Sequence, residues 1–290
     1  MKKRTNAIIL SLLGFLFLAR PVLAAQGLSP VSIKLGLGAG FGSDGDFGAM
    51  VKGYEDFSKY FAAVLGTNRS GKLEWPKMDN DLGAELIWGV SRRFGLGLGI
   101  GSLTKSEKST IEVGPYPFLE GNFDFKLLST SVTLSAYYLY PLTARLAVTL
   151  KGGPGYFWGR CRYAMSVLGS GEDQTFNADI RDRTLGLQGS LGLEFKISDH
   201  ISLFAEGGGR LVKFSKWQGD ETVVDHGISW TTTSALVWHT AEEYSGLGIF
   251  FNSIYFGSEP YNPSKKDVRP FEVDLSGLAI QLGVRIGFGR

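Results

Sequence analysis

The stretch that decides the fold is the last one, Leu278-Ala-Ile-Gln-Leu-Gly-Val-Arg-Ile-Gly-Phe288. Leu278, Ile280, Leu282, Val284, Ile286 and Phe288 share one parity, and Ala279, Gln281, Gly283, Arg285 and Gly287 the other. Successive side chains of a strand point to opposite faces, so this is a strand with one oily face and one small or polar face. The oily face is about as long as a tilted membrane-crossing strand needs, and it ends on an aromatic.

Working backward, the same pattern recurs. Val31 to Phe41 sets Val31, Ile33, Leu35, Leu37, Ala39 and Phe41 against Ser32, Lys34 and glycines. Asp81 to Ser91, Phe94 to Leu103, Ser129 to Tyr140, Arg145 to Trp158, Leu185 to Ile197 and Ile201 to Leu211 all alternate. Eight such segments are joined by three tight turns and four long polar segments, in strict alternation. Long connections at one end and short ones at the other mark a barrel that crosses a membrane, and closure leaves no sheet edge facing lipid. Aromatics gather near the strand ends: Phe94, Tyr138, Tyr140, Phe195 and Phe288 at the turn end, Phe41, Tyr156 and Trp158 at the loop end. These are the expected interfacial girdles. No charge falls on the oily face in mid-span, where a basic one costs about 2–4 kcal/mol.

The chain opens with an export signal. Lys2, Lys3 and Arg4 precede an apolar run, Ala7 to Ala19, too short to span a bilayer as a helix, and Val22-Leu23-Ala24 offers a cleavage site. Residues 1–25 are read as the signal peptide and 26–290 as one barrel domain, with cleavage after Ala24 or Ala25. The signal holds four bases and no acids, so the chain's 30 bases less those four leave 26 against 28 acids. The precursor's pI of about 8.5 therefore says nothing of nucleic acid, which is not expected as a partner. The lone Cys161 cannot form an internal disulfide.

Inside the first long segment, Phe47, Met50, Val51, Tyr54, Phe57, Phe61 and Val64 recur at helical spacing. A short helix between about Phe47 and Leu65 is expected, capping the end of the sheet with its oily side down. Trp230 to Trp238 and Leu247 to Phe256 favour β structure. Their alternation is poor, since Phe250 and Phe251 adjoin and Ile254, Tyr255 and Phe256 run together. An extracellular hairpin fits this better than two further membrane strands, which would make ten.

The inward face would carry Lys34, Glu85, Arg145, Lys151, Glu194, Lys196, Glu206, Arg210 and Arg285. An eight-stranded bore is barely wide enough for its own side chains, so these charges must pair. Adjacency predicts Lys34 with Glu85, Glu206 with Arg285, and Glu194 with Lys151, a lumen charge network that fills the core. The narrow bore argues against a selective pore with a basic constriction.

The pattern resembles the small outer-membrane β-barrel proteins, the OmpA/OmpX-type eight-stranded group. The resemblance is carried by Gly95-Leu-Gly-Leu-Gly-Ile-Gly101, Lys151-Gly-Gly-Pro-Gly-Tyr156 and Asp274-Leu-Ser-Gly-Leu278, and it covers nearly the whole mature chain. It implies an antiparallel up-and-down transmembrane barrel in the outer membrane of a Gram-negative envelope. The implied partners are outer-membrane lipid and, through the C-terminal strand, the barrel-assembly machinery. No domain follows the last strand, so wall anchoring of the OmpA type is not expected. Phe288 is followed by Gly289 and Arg290, where such barrels usually end on the aromatic.

Chemistry is sparse. His239 lies near Ser234, Glu242 and Glu243, a set that could suggest a lipid esterase, but such residues meet by chance and a triad is defined by geometry. Asp44 with Asp46, or Glu172 with Asp173, lack the spacing of a calcium loop. Glycines here lack the strand–GxGxxG–helix context of phosphate binding. No catalytic, cofactor or metal site is expected. The reading is a non-enzymatic barrel with a plugged lumen and a structural or surface-interaction role through its loops. The alternatives are a small pore or carrier of an apolar ligand, and a lipid-modifying enzyme.

Overall fold

The structure is a computed structural model that describes residues 27–43, 45–73, 78–114, 119–169, 172–244, 249–260 and 265–289. The expected signal segment lies outside these residues. In chain order the elements are β1 (Val31–Gly42), helix α1 (Gly45–Leu65), β2 (Arg69–Gly71), β3 (Met78–Gly89), β4 (Phe94–Val113), β5 (Leu119–Pro141), β6 (Leu146–Gly169) and β7 (Glu172–Lys196). Then come β8 (Ile201–Leu211), β9 (Lys213–Phe214), β10 (Gln218–Asp225), β11 (Ile228–Tyr244), β12 (Ile249–Phe256), β13 (Lys265–Pro270), β14 (Val273–Asp274) and β15 (Gly277–Phe288).

Eight strands close a ring. β1, β3, β4, β5, β6, β7 and β8 pair in that order, and β15 pairs with both β8 and β1, every pair antiparallel. The Leu278–Phe288 stretch is therefore the closing stave. Its oily side faces outward: Leu278, Ile280, Leu282 and Phe288 are about half exposed or more, while Arg285 is buried.

The three tight turns share one construction. Ser91, Thr143 and Ser198 each place a hydroxyl oxygen where it accepts two backbone N–H groups, from Arg93 and Phe94, Arg145 and Leu146, and His200 and Ile201. Short hydroxyl side chains satisfy turn amides in this way.

The long polar segments are where expectation and structure part. The segments read as loops at about 104–127 and 159–183 are mostly strand: β4 through β7 run 20 to 25 residues each, about twice what a bilayer needs. The physical reason is a change of polarity along each strand. On β4 the outward face passes from Phe94, Leu96, Leu98 and Ile100 to Ser106, Lys108, Thr110 and Glu112. The inward face passes from glycines to Leu103, Ile111 and Val113, all buried. Below this switch the wall is oily outside; above it the wall is wetted outside and carries buried apolar side chains inside, with the buried Lys105 among them.

The upper wall is widened by β10, which pairs with the upper part of β7, by β11 beyond it, and by β12 and β13 along β11. The segments around Trp230–Trp238 and 249–256 thus lie in this extension, outside the eight-membered ring. Helix α1 turns its oily side into the mouth. Phe47 is fully buried, its ring 4.5 Å from that of Phe125 and 4.6 Å from that of Phe271, both near edge-on. Phe47 joins Leu127, Phe157, Phe214, Trp217 and Val273 in one apolar cluster across the upper bore. Each such side chain contributes about 1.5–3 kcal/mol by leaving water.

Candidate functional site

The inward faces of the ring carry ionic groups in layers. Nearest the tight turns, Arg285 donates through Nε to Glu194 at 3.0 Å, adds a second bond from Nη2, and reaches Ser32 Oγ at 3.2 Å. Next, Lys34 and Lys151 interleave with Glu85 and Glu206. Lys34 pairs with Glu206, and Lys151 lies 3.3 Å from Glu85 and 3.4 Å from Glu206. Glu85 also accepts hydroxyls from Ser135 and Tyr137, and Glu206 accepts from Ser190 at 3.2 Å. The Lys34 ammonium sits 4.1 Å from the ring centroid of Phe204, a favourable cation–π distance. Toward the loop end, Arg210 binds Asp79 and Asp81 and donates to the Leu275 carbonyl at 2.8 Å.

Small residues make room for this packing. A Cβ on Gly97 would lie 2.4 Å from a Glu85 carboxylate oxygen, and one on Gly192 would lie 2.4 Å from Glu206 Cγ. Between the Lys–Glu layer and the apolar cluster lies a cavity of about 120 Å³. Asp81, Gln188 and Arg210 line it among the polar groups, and Phe157, Val212 and Leu275 among the apolar ones.

The structure brings Lys34, Glu85, Lys151, Glu194, Glu206, Arg210 and Arg285 into the bore, but in other pairs than adjacency suggested. Lys34 and Glu85 are register partners, yet Lys34 reaches Glu206. Arg285 takes Glu194 in place of Glu206, and Lys151 takes Glu85 and Glu206 in place of Glu194. In so narrow a ring a four-carbon stem spans the bore, so distance across it competes with distance along the wall. Arg145 is exposed at the β5–β6 turn, and Lys196 pairs with Asp199 at the β7–β8 turn; neither joins the bore network. Asp79 and Asp81 were missed as partners of Arg210. They share the parity of Glu85, and carrying that parity back along β3 would have found them.

The loop candidates serve other ends. Asp46, in the first turn of α1, accepts both Arg269 terminal nitrogens at 2.7 and 2.6 Å and the Glu272 N–H at 2.7 Å, as suits a carboxylate at a helix N-terminus. His239 is buried, with Nδ1 3.7 Å from Asp46 and Nε2 3.3 Å from Asp267. Burial holds its pKa below the ordinary histidine value against the pull of Asp46. Ser234 is exposed, its N–H bonded to Asp220 at 2.8 Å. Asp44 and the side chains of Glu172, Glu242 and Glu243 lie outside the described residues. Cys161 is buried and free, in the apolar cluster.

A family model described as outer membrane protein beta-barrel domain matches residues 10–231. No curated protein matches in sequence. Among solved structures, OprG from Pseudomonas aeruginosa is 13% identical, with a TM-score of 0.41 over 92% of this chain and 99% of that one. Neisserial surface protein A is 12% identical, TM-score 0.37, over 91% of this chain and 100% of the other. The outer membrane protease OmpT from Escherichia coli is 8% identical, TM-score 0.35, over 92% and 99%.

Proposed function

Because this chain belongs to the outer membrane protein beta-barrel domain family and so resides in the outer membrane, we propose that it is a non-enzymatic barrel with a closed lumen, acting through the wall and loops above the bilayer. The observation that carries this reading is two barriers in series. The lower is ionic, with Lys34, Glu85, Lys151 and Glu206 in mutual contact. The upper is apolar, with Phe47, Phe125, Phe157 and Trp217 packed above the cavity. A hydrated ion would have to part the first and then cross the second, at a desolvation cost of several kcal/mol. The test is conductance of the purified protein in planar bilayers. Silence under voltage supports the closed lumen; steady ohmic steps overturn it.

A second reading, a carrier of an apolar ligand, is favoured by one feature. A hollow of about 40 Å³ lies between α1 and the upper wall, lined by Met50, Val51, Tyr54, Phe123, Phe125 and Met165 among others. Its size suits one or two waters better than an organic molecule, so α1 would have to move for this role. The esterase reading has less support, because His239 is engaged by Asp46 and Asp267.

A further inference from the structure

Just above the oily band, the outer wall of β5, β6 and β7 carries a block of cations. Cross-strand register sorts the outward side chains into rows. The lowest holds Thr130, Trp158 and Arg183; the next Leu128, Arg160 and Arg181; the third Lys126, Arg162 and Asp179. That is five bases and one acid, and the two rows nearest the girdle hold three arginines and no acid. Asp179 is shared by three guanidiniums: Arg160 donates through Nε at 2.8 Å, Arg162 lies at 3.3 Å and Arg181 at 3.7 Å. The next residue along that row, Asp220 on β10, accepts the Ser234 N–H and adds a second carboxylate at the edge of the block, whose five bases still outnumber its acids.

The block is local. On β1, β3 and β15, across the ring, the outward positions at the loop end are Phe41, Met78 and Leu278, and on the neighbouring β8 it is Leu211. At the foot of the block, Trp158 meets Tyr156 of the row below edge to face at 4.7 Å; Leu185, level with Tyr156, and Leu187, one row lower, stand exposed. Oil, aromatic girdle and surplus positive charge follow one another up the wall, in the order in which a phospholipid presents acyl chain, interface and phosphate.

We infer that this patch binds the phosphate-bearing headgroup of a membrane lipid, with Arg181 and Arg183 on the phosphate and the acyl chains along Leu185 and Leu187. Guanidinium forks match phosphate oxygens two at a time. Asp179 holds Arg160 and Arg162 in place and leaves most of the patch charge unanswered. The inference is independent of the closed lumen, since a conducting barrel would carry the same wall.

The test is native mass spectrometry of the folded full chain in micelles, titrated with phosphatidic acid or with phosphatidylcholine of the same acyl chains. Phosphatidic acid should bind more tightly. Arg181→Gln with Arg183→Gln should weaken it about fivefold for each guanidinium removed and leave phosphatidylcholine unchanged. Removing two cations elsewhere above the membrane, with Lys52→Gln and Lys108→Gln, should change neither. If the double arginine variant does not fold, Arg183→Gln alone, outside the Asp179 cluster, carries the test. Equal affinity for the two lipids overturns the inference, as does an equal loss in the lysine control. Displacement of the lipid by millimolar inorganic phosphate also overturns it, by showing a free-anion site.

Discussion

Glu206→Gln probes the ionic layer most sharply. The Glu206 side chain is buried and answers two ammonium groups, Lys34 by direct contact and Lys151 at 3.4 Å. The layer of Lys34, Lys151, Glu85 and Glu206 is neutral as it stands. Gln keeps the shape and removes one charge, so two cations face the single carboxylate of Glu85. Breaking a buried pair by removing one partner costs about 3–5 kcal/mol. Lys34→Met in the same chain restores neutrality and leaves Lys151 with Glu85, so the double variant should return to within about 1 kcal/mol of wild type. Urea unfolding in lipid vesicles, followed by tryptophan fluorescence, gives the stabilities of wild type, Glu206→Gln, Lys34→Met and the double variant, and the cycle through these four isolates the coupling. A single variant within about 1 kcal/mol of wild type, or a double variant no more stable than Glu206→Gln, would refute the claim that charge balance holds this layer.

Three further outcomes are expected. His239 is buried beside Asp46, Asp267 and Arg269 with its pKa lowered, so the unfolded cap binds a proton that the folded one does not. Its contribution is complete above about pH 6.5 and is lost as pH falls from there toward the depressed folded value. Proteolysis of the extracellular wall should therefore quicken between neutral and mildly acidic pH, and His239→Gln should flatten that dependence; an unchanged dependence would exclude His239 as its source. Cys161 is fully buried, so a maleimide should label it only after unfolding, and rapid labelling of the folded protein would contradict the packed upper bore. Ile280→Arg, on the lipid face in mid-span, should cost about 2–4 kcal/mol in vesicles, whereas Lys108→Ala above the membrane should cost under about 1 kcal/mol.

The ring was legible because lipid imposes a strict rule on it. Every outward residue in mid-span must be apolar, so the period of two survives in Phe94–Ile100 and Leu278–Phe288 without interruption. The strand extensions were not legible by the same rule, because above the bilayer the two faces exchange character. Thr110 and Glu112 now face water while Ile111 and Val113 pack inside, so a search for oil outside stops at the membrane edge. The helix could be read from its own period, and it spans Gly45–Leu65. Its anchors were less visible: Glu55 accepts the Leu73 N–H at 2.9 Å and pairs with Arg69, contacts that depend on where β2 returns. The bore residues were readable by parity, but their partners were not. Register gives the neighbour along the wall, and a side chain such as Lys34 chooses among groups across the bore that no linear spacing reveals.

A barrel seated in the membrane must meet lipid with the outer face of its ring, and paramagnetic accessibility tests that directly. With Cys161 replaced by Ser, single spin labels are placed at Leu98, Ile280, Lys108 and Lys126 in the protein reconstituted in vesicles. Labels at 98 and 280 should be relaxed by oxygen and shielded from a water-soluble nickel reagent, while those at 108 and 126 should show the reverse. Labels at 98 and 280 shielded from both would place a second protein layer against the oily face, and would contradict the barrel's position in the membrane.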